Sequence, residues 1–161
     1  LSLGVRGGIH KPKNKDNGKN WTAVGIDARF NIPSLPMVGG QEVAVDYLGK
    51  GKDNRVIGLT LVQRYSSPTV VPGQPKPYFG LGFGIYDVRW KTDEPLPAQT
   101  GGVSYDTTTV SKIEKKTTAG FKALAGIDLK GGLYLQGDYH YPLNGIAKDA
   151  RGFSMTAGMR F

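Results

Sequence analysis

Apolar and polar residues alternate with a period of two along nearly the whole chain, and clusters of Gly, Pro, Asn and Asp break the alternation. That period marks strands with one apolar face, and helical spacing is absent from almost every segment. Eight such runs can be delimited: LSLGVRGGIH, WTAVGIDARFNI, EVAVDYL, RVIGLTLVQRY, YFGLGFGIYDVRW, TAGFKALAGIDLK, LYLQGDYHY and the closing FSMTAGMRF. In the last, Phe153, Met155, Ala157, Met159 and Phe161 alternate with Ser154, Thr156, Gly158 and Arg160. In the fifth, Phe79, Leu81, Phe83 and Ile85 alternate with glycines. The large residues then change parity to Tyr86, Val88 and Trp90, which predicts a bulge or an exit from the apolar layer.

The runs suit a tilted membrane-crossing strand of about 9–11 residues better than a soluble strand of about 5–6. An even number of them is what a closed antiparallel barrel requires. Long polar connections are expected at 11–20, 49–54, 91–116 and 142–152. The opposite set lies at 33–41, 66–77 and the tight Gly131-Gly132 hairpin turn. The TTTVSKIE stretch within 91–116 is expected to carry a hairpin beyond the membrane.

Alternation alone does not say which face is the core. A soluble eight-stranded barrel of the lipocalin kind buries its apolar face, and a membrane barrel turns it to lipid around a polar lumen. The polar face decides between them. It is glycine with isolated, sign-balanced charges: Arg6, Arg29, Arg64, Lys122 and Arg160 against Asp27, Glu42, Asp46, Asp128 and Asp138. Small residues beside paired charges suit a narrow, side-chain-filled lumen, and buried charges must be paired. Aromatics near the ends of the runs predict two interface belts: Tyr47, Trp90, Tyr139, Tyr141 and Phe153 towards the long connections, and Phe30, Tyr65, Phe79 and Phe161 at the other end. Trp21 and Tyr78 have the parity of the polar face and are expected inside or beyond the wall.

Composition narrows the picture further. No stretch approaches the ~18 apolar residues of a membrane helix, and the mean hydropathy is -0.32. With 161 residues, one domain is expected. The absence of Cys removes disulfides, zinc–thiolate sites and thiol nucleophiles. The first residue is Leu1, already within an alternating run, which predicts a processed or trimmed chain. The net charge of +8 invites a nucleic-acid reading, but no aromatic-plus-basic stacking platform accompanies it.

With PYFGLGFGIYDV and the terminal FSMTAGMRF in view, the chain resembles the eight-stranded bacterial outer-membrane barrels, the group typified by the OmpA transmembrane domain and the OmpW-like proteins. The resemblance implies an integral outer-membrane monomer with both termini periplasmic and the four long connections extracellular. Those connections with Arg55 at their edge hold 13 of the 21 basic residues, among them Lys11, Lys13, Lys15, Lys19, Lys50, Lys52, Lys112, Lys115 and Lys116. Such a basic rim suits anionic lipid headgroups or surface polysaccharide. No domain of the peptidoglycan-binding kind follows the barrel in this sequence, and 66–77 is longer than a typical periplasmic turn of the group.

Catalysis has thin support. His140, Ser154, Asp138 and His10 have inward parity near one mouth, where nucleophile–base chemistry of the kind used by lipid-modifying barrels would need them. They are also ordinary lumen residues. No phosphate loop or dinucleotide fingerprint is present, and GLGFG sits inside a strand with no helix after it. No enzyme activity, cofactor or metal is expected. The expected role is envelope anchoring, adhesion or binding through the basic loops. A small conduit for ions or apolar solutes is the alternative, and a lipid-modifying enzyme or a soluble ligand-binding barrel stands behind it.

Overall fold

The computed structural model describes residues 1–13, 19–31, 40–66, 74–95, 109–143 and 150–161. Eight strands follow one another in chain order: β1 (Ser2–Pro12), β2 (Trp21–Phe30), β3 (Gln41–Lys50), β4 (Asn54–Ser66), β5 (Lys76–Pro95), β6 (Thr109–Asp128), β7 (Leu133–Pro142) and β8 (Gly152–Arg160). Each pairs antiparallel with its neighbours, and β8 pairs with β1 to close the barrel. Closure extends to the last residue: Phe161 N donates to Leu3 O at 2.8 Å, and Leu3 N donates to Phe161 O at 3.1 Å. A closed barrel leaves no unpaired edge in its wall, which a single sheet of this length could not avoid.

The core is inverted relative to a soluble protein. Leu3, Val5, Ile26, Leu59, Leu81, Phe121, Leu135 and Met155 are exposed on the outside, while Arg6, Asp27, Glu42, Asp46, Lys122 and Asp138 are buried inside. On β5, Phe83 is 63% exposed and Tyr86, three residues on, is 0% exposed. The fold is therefore a closed up-and-down transmembrane barrel with an apolar exterior and a polar lumen, and the lipocalin-like arrangement is excluded.

The largest differences from the sequence expectation lengthen strands at the expense of connections, while β2 and β6 end two residues short, at Phe30 and Asp128. The expected connection 49–54 shortens to a turn through Gly51, whose φ is 76°. The expected connection 91–116 loses residues at both ends to β5 and β6, which run 20 residues each. Hydrogen bonding carries strands past the apolar wall because paired backbone is satisfied even where the side chains are polar. Gly131 and Gly132 turn between β6 and β7 with φ of 77° and 80°, a region open to glycine and costly to other residues. Most of 33–41 and 66–77 lies outside the described residues.

β5 carries no bulge. Its pairing with β4 and β6 continues without a break, and its even-numbered residues face inward from Tyr78 to Trp90. The change of large residues from odd to even positions has another cause. Mid-strand, Gly80, Gly82 and Gly84 leave the lumen to side chains from other strands, and towards the loop end Tyr86, Val88 and Trp90 fill it themselves.

Candidate functional site

The ten charges of the polar face all point into the barrel, and each makes at least one ion pair. They form one connected network in two layers. Nearer the loop end, Lys122 Nζ lies 2.7 Å from Asp46 Oδ2 and 3.2 Å from Asp138 Oδ1. Arg6 Nη2 joins the same Asp46 through Oδ1, and Arg6 Nη1 reaches Asp27 Oδ2 at 3.1 Å. Nearer the termini, Glu42 Oε2 takes Arg64 Nη1 at 2.8 Å and Arg29 Nε at 3.1 Å. Asp128 takes Arg160 at 2.9 Å and Arg29 at 3.2 Å, and Arg160 also reaches Asp27 at 3.4 Å. Five cations and five anions leave the lumen neutral. Arg6 links the layers, because it alone contacts both Asp46 and Asp27.

Residues beyond these ten complete the network. Tyr134 donates to Asp27 at 2.8 Å, Tyr78 donates to Gln136 at 2.8 Å, and Gln136 donates to Asp138 at 2.8 Å. The Arg64 guanidinium lies 3.5 Å from the centroid of the Tyr78 ring, and that of Arg160 lies 4.3 Å from Tyr134. Arginine stacks in this way while keeping its fork of donors for carboxylates. Their even-numbered positions place Tyr78, Tyr134 and Gln136 on the lumen side, but nothing in the pattern shows whom they bond.

Towards the loop end the lumen turns apolar. Trp21, Ala23, Leu48, Val56, Tyr86, Val88, Trp90 and Ala150 form one buried cluster. The Trp21 and Trp90 rings lie 5.4 Å apart, and His10 and His140 fill the space between this plug and the charges, 6.1 Å from each other. Tyr86 fits because its neighbours lack side chains: a Cβ on Gly120 would lie 2.7 Å from its ring, and one on Gly58 would lie 2.9 Å away. Trp90 thus departs from its expected place in the outer aromatic belt. It is 5% exposed and part of the plug, because the unbroken register of β5 keeps even positions inward.

The remaining belt residues face out. Tyr47, Tyr139 and Phe153 are exposed near the loop end, with Tyr141 half-buried beside them under the Arg151 guanidinium at 3.7 Å. At the other end Tyr65 and Phe79 stack at 5.0 Å, Phe30 is half-buried and Phe161 is exposed. Of the basic rim, Lys11, Lys13, Lys19, Lys50, Lys52, Lys112, Lys115 and Lys116 are exposed, and Lys15 lies outside the described residues.

His10 and Ser154 face each other across the β1–β8 seam, with His10 Nδ1 2.9 Å from Ser154 Oγ. Asp138 sits opposite Ser154 on β7, yet its carboxylate serves Lys122 and Gln136. Among the described residues no carboxylate bonds the second ring nitrogen of His10, as the orienting group of a triad would. Among the described residues, no cluster of three or more His, Cys, Asp or Glu could hold a metal ion.

No family model and no curated protein sequence matches this chain. Solved structures do. The N-terminal β-barrel domain of Pseudomonas aeruginosa OprF superposes with a TM-score of 0.53 at 12% identity, over 99% of this chain and 97% of that one. The outer membrane enzyme PagL superposes with a TM-score of 0.52 at 9% identity, over 100% of this chain and 99% of that one. At these identities the likeness is one of fold: this chain has the architecture of eight-stranded outer-membrane barrels.

Proposed function

We propose that the chain is an integral outer-membrane protein with a closed, non-conducting lumen, and that it anchors in the envelope and presents its basic loops for surface binding. The observation that carries this reading is the filling of the lumen. A cross-linked, neutral charge network is followed by an apolar plug of two Trp and a Tyr, so an ion would have to displace both. The test is conductance of the purified barrel in a planar bilayer. The expected trace shows no sustained openings above the protein-free bilayer, and reproducible unitary steps would establish the conduit reading instead.

In this reading the barrel works as a monomer, needs no nucleic acid and no cofactor, and keeps both termini in the periplasm. The chain has no Cys, so single substitutions give clean labels. Lys52→Cys should react with an impermeant maleimide on intact cells, and Ser2→Cys should not. The reverse result would invert the topology.

We assign no catalytic role to Ser154. It is 1% exposed and His10 is 0% exposed, which supports a structural place for the pair in the lumen wall. Ester hydrolysis in lipid micelles that is present in the native chain and lost in Ser154→Ala would overturn this assignment.

A further inference from the structure

The β5–β6 hairpin rises past its neighbours. Pairing of β5 with β4 ends outward at Arg55 opposite Arg89, and pairing of β6 with β7 ends at Gly120 opposite Pro142. β5 and β6 stay paired out to Pro95 and Thr109. Where the hairpin leaves the wall, Arg89 stands opposite Arg55 on one side and Lys115 on the other. All three have the outward parity of their strands, so three cations lie side by side on the outer face. Directly opposed like charges destabilise a sheet. Among the described residues none of the three makes an ion pair, and the Nε atoms of Arg55 and Arg89 are buried without a hydrogen-bond partner. Asp87, one outward position nearer the wall, accepts a hydrogen bond from Thr117 at 3.3 Å. Among the described residues this locally unfavourable row is offset only in part, by Asp87, and that points to an external anion.

A second feature lies below it. An apolar groove of about 560 Å³ runs over the outer face of β5–β7, lined by Leu81, Phe83, Phe121, Ala123, Tyr139 and Tyr141. Between groove and row, β6 presents only Ala119 and Thr117, a low track flanked by Ile85 and Asp87. From Phe83 to Arg89 the strand covers roughly 20 Å at ~3.4 Å per residue. That spacing suits a lipid whose head sits on the row and whose chain lies in the groove.

We propose that this face binds one lipid bearing a phosphate monoester, with the phosphate on Arg55, Arg89 and Lys115 and an acyl chain along Ala119 into the groove. Charge selects the monoester. The three cations less Asp87 leave about +2, which a monoester of about −1.5 to −2 matches and a singly charged diester does not. The two guanidiniums supply the bidentate geometry that phosphate favours. The site rests on the outer-membrane placement proposed above, because it needs the row at the headgroup level.

The test is native mass spectrometry of the full folded chain released from neutral detergent, titrated with bis-phosphorylated lipid A, dephosphorylated lipid A, phosphatidylglycerol or sodium phosphate. One lipid A per barrel should be retained. Retention should fall at least tenfold for the dephosphorylated lipid, for phosphatidylglycerol and for the triple variant R55Q/R89Q/K115Q, and severalfold when Ala123→Trp fills the groove. Equal retention by the triple variant, equal retention of phosphatidylglycerol, no retention of lipid A at all, or displacement by millimolar sodium phosphate would each overturn the lipid site. Insertion of the same preparations into vesicles separates the two levels. A chain that does not insert fails the membrane placement, and one that inserts without retaining lipid A fails only this site.

Discussion

Lys122 is the sharpest place to perturb the lumen. Its side chain is 0% exposed, and its ammonium lies 2.7 Å from Asp46 and 3.2 Å from Asp138. At an effective dielectric of about 20, each contact at such a distance contributes roughly 5–6 kcal/mol of gross attraction. Desolvation of the three groups, several kcal/mol per ion, and repulsion from nearby Arg6 offset most of that. The cost of Lys122→Met is therefore not the sum of the attractions. It is the cost of leaving Asp46 with Arg6 alone and Asp138 with Gln136 alone in a lumen whose charge has become −1. Breaking a buried pair from one side costs about 3–5 kcal/mol. Urea unfolding from lipid vesicles, followed by tryptophan emission, measures it, since Trp21 and Trp90 both lie inside the barrel. Adding Asp138→Asn restores neutrality. The double variant should then be more stable than the sum of the two single losses by about 1–3 kcal/mol, within the range of coupling between directly contacting residues. A loss under about 1 kcal/mol for Lys122→Met, or strict additivity in the double variant, would refute the network as a coupled unit.

Ala157 lies at the middle of β8 on the outer face, so Ala157→Arg should cost about 2–4 kcal/mol in vesicles if that face meets the bilayer centre. Lys50→Glu, beyond the wall, should stay within about 0.5 kcal/mol by the same urea assay. Trp90→Ala empties part of the plug and should cost about 3–5 kcal/mol. Brominated lipids should leave both Trp emissions of the native chain unquenched, whereas a belt position for Trp90 would give strong quenching. Gly120→Val drives a Cβ against the Tyr86 ring, at 2.7 Å, and against Tyr141 O, at 2.8 Å. It should cost about 1–3 kcal/mol, and Tyr86→Ala in the same chain should recover only part of it because the carbonyl contact remains.

The wall was legible in the sequence because period-2 alternation records both faces of every strand at once. Leu3, Val5, Ile26 and Met155 on one parity and Arg6, Asp27 and Ser154 on the other suffice to place them in and out. Trp90 was misread because hydrophobicity alone assigns a large aromatic to lipid, whereas the lumen of this barrel also needs apolar filling near its mouth. Only the register shows which requirement Trp90 meets. The choice of ion-pair partners was illegible for the same reason. Arg6 and Asp46 belong to β1 and β3 and meet across Gly25 of β2, a contact fixed by strand stagger and the missing side chain. Arg89 does not read as part of the basic rim because it lies inside a run with membrane-crossing alternation, and only the pairing of β4, β5 and β6 lines it up with Arg55 and Lys115.

The ten lumen charges are poor candidates for net stability, since a buried ion pair often does no better than apolar residues of the same volume. Their geometry suits a different task. The outer face is apolar on every strand, and lipid accepts a Leu as readily at one height as at another, so the exterior specifies register weakly. Slipping one strand by a single residue turns its whole lumen set outward. For β6 that would place Lys122 and Asp128 in lipid, where a charged side chain is destabilising by an amount that grows with depth, up to about 2–4 kcal/mol for a lysine at the midplane. Every strand but β5 carries at least one of the ten charges, and β5 fixes its own place by seating Tyr86 between Gly58 and Gly120. Closure in the wrong register is thereby penalised at each seam. A lumen committed to that role is filled with side chains, and the recognition proposed above falls to the surfaces it holds in place: the basic loops and the cationic row on the outer face of β4–β6.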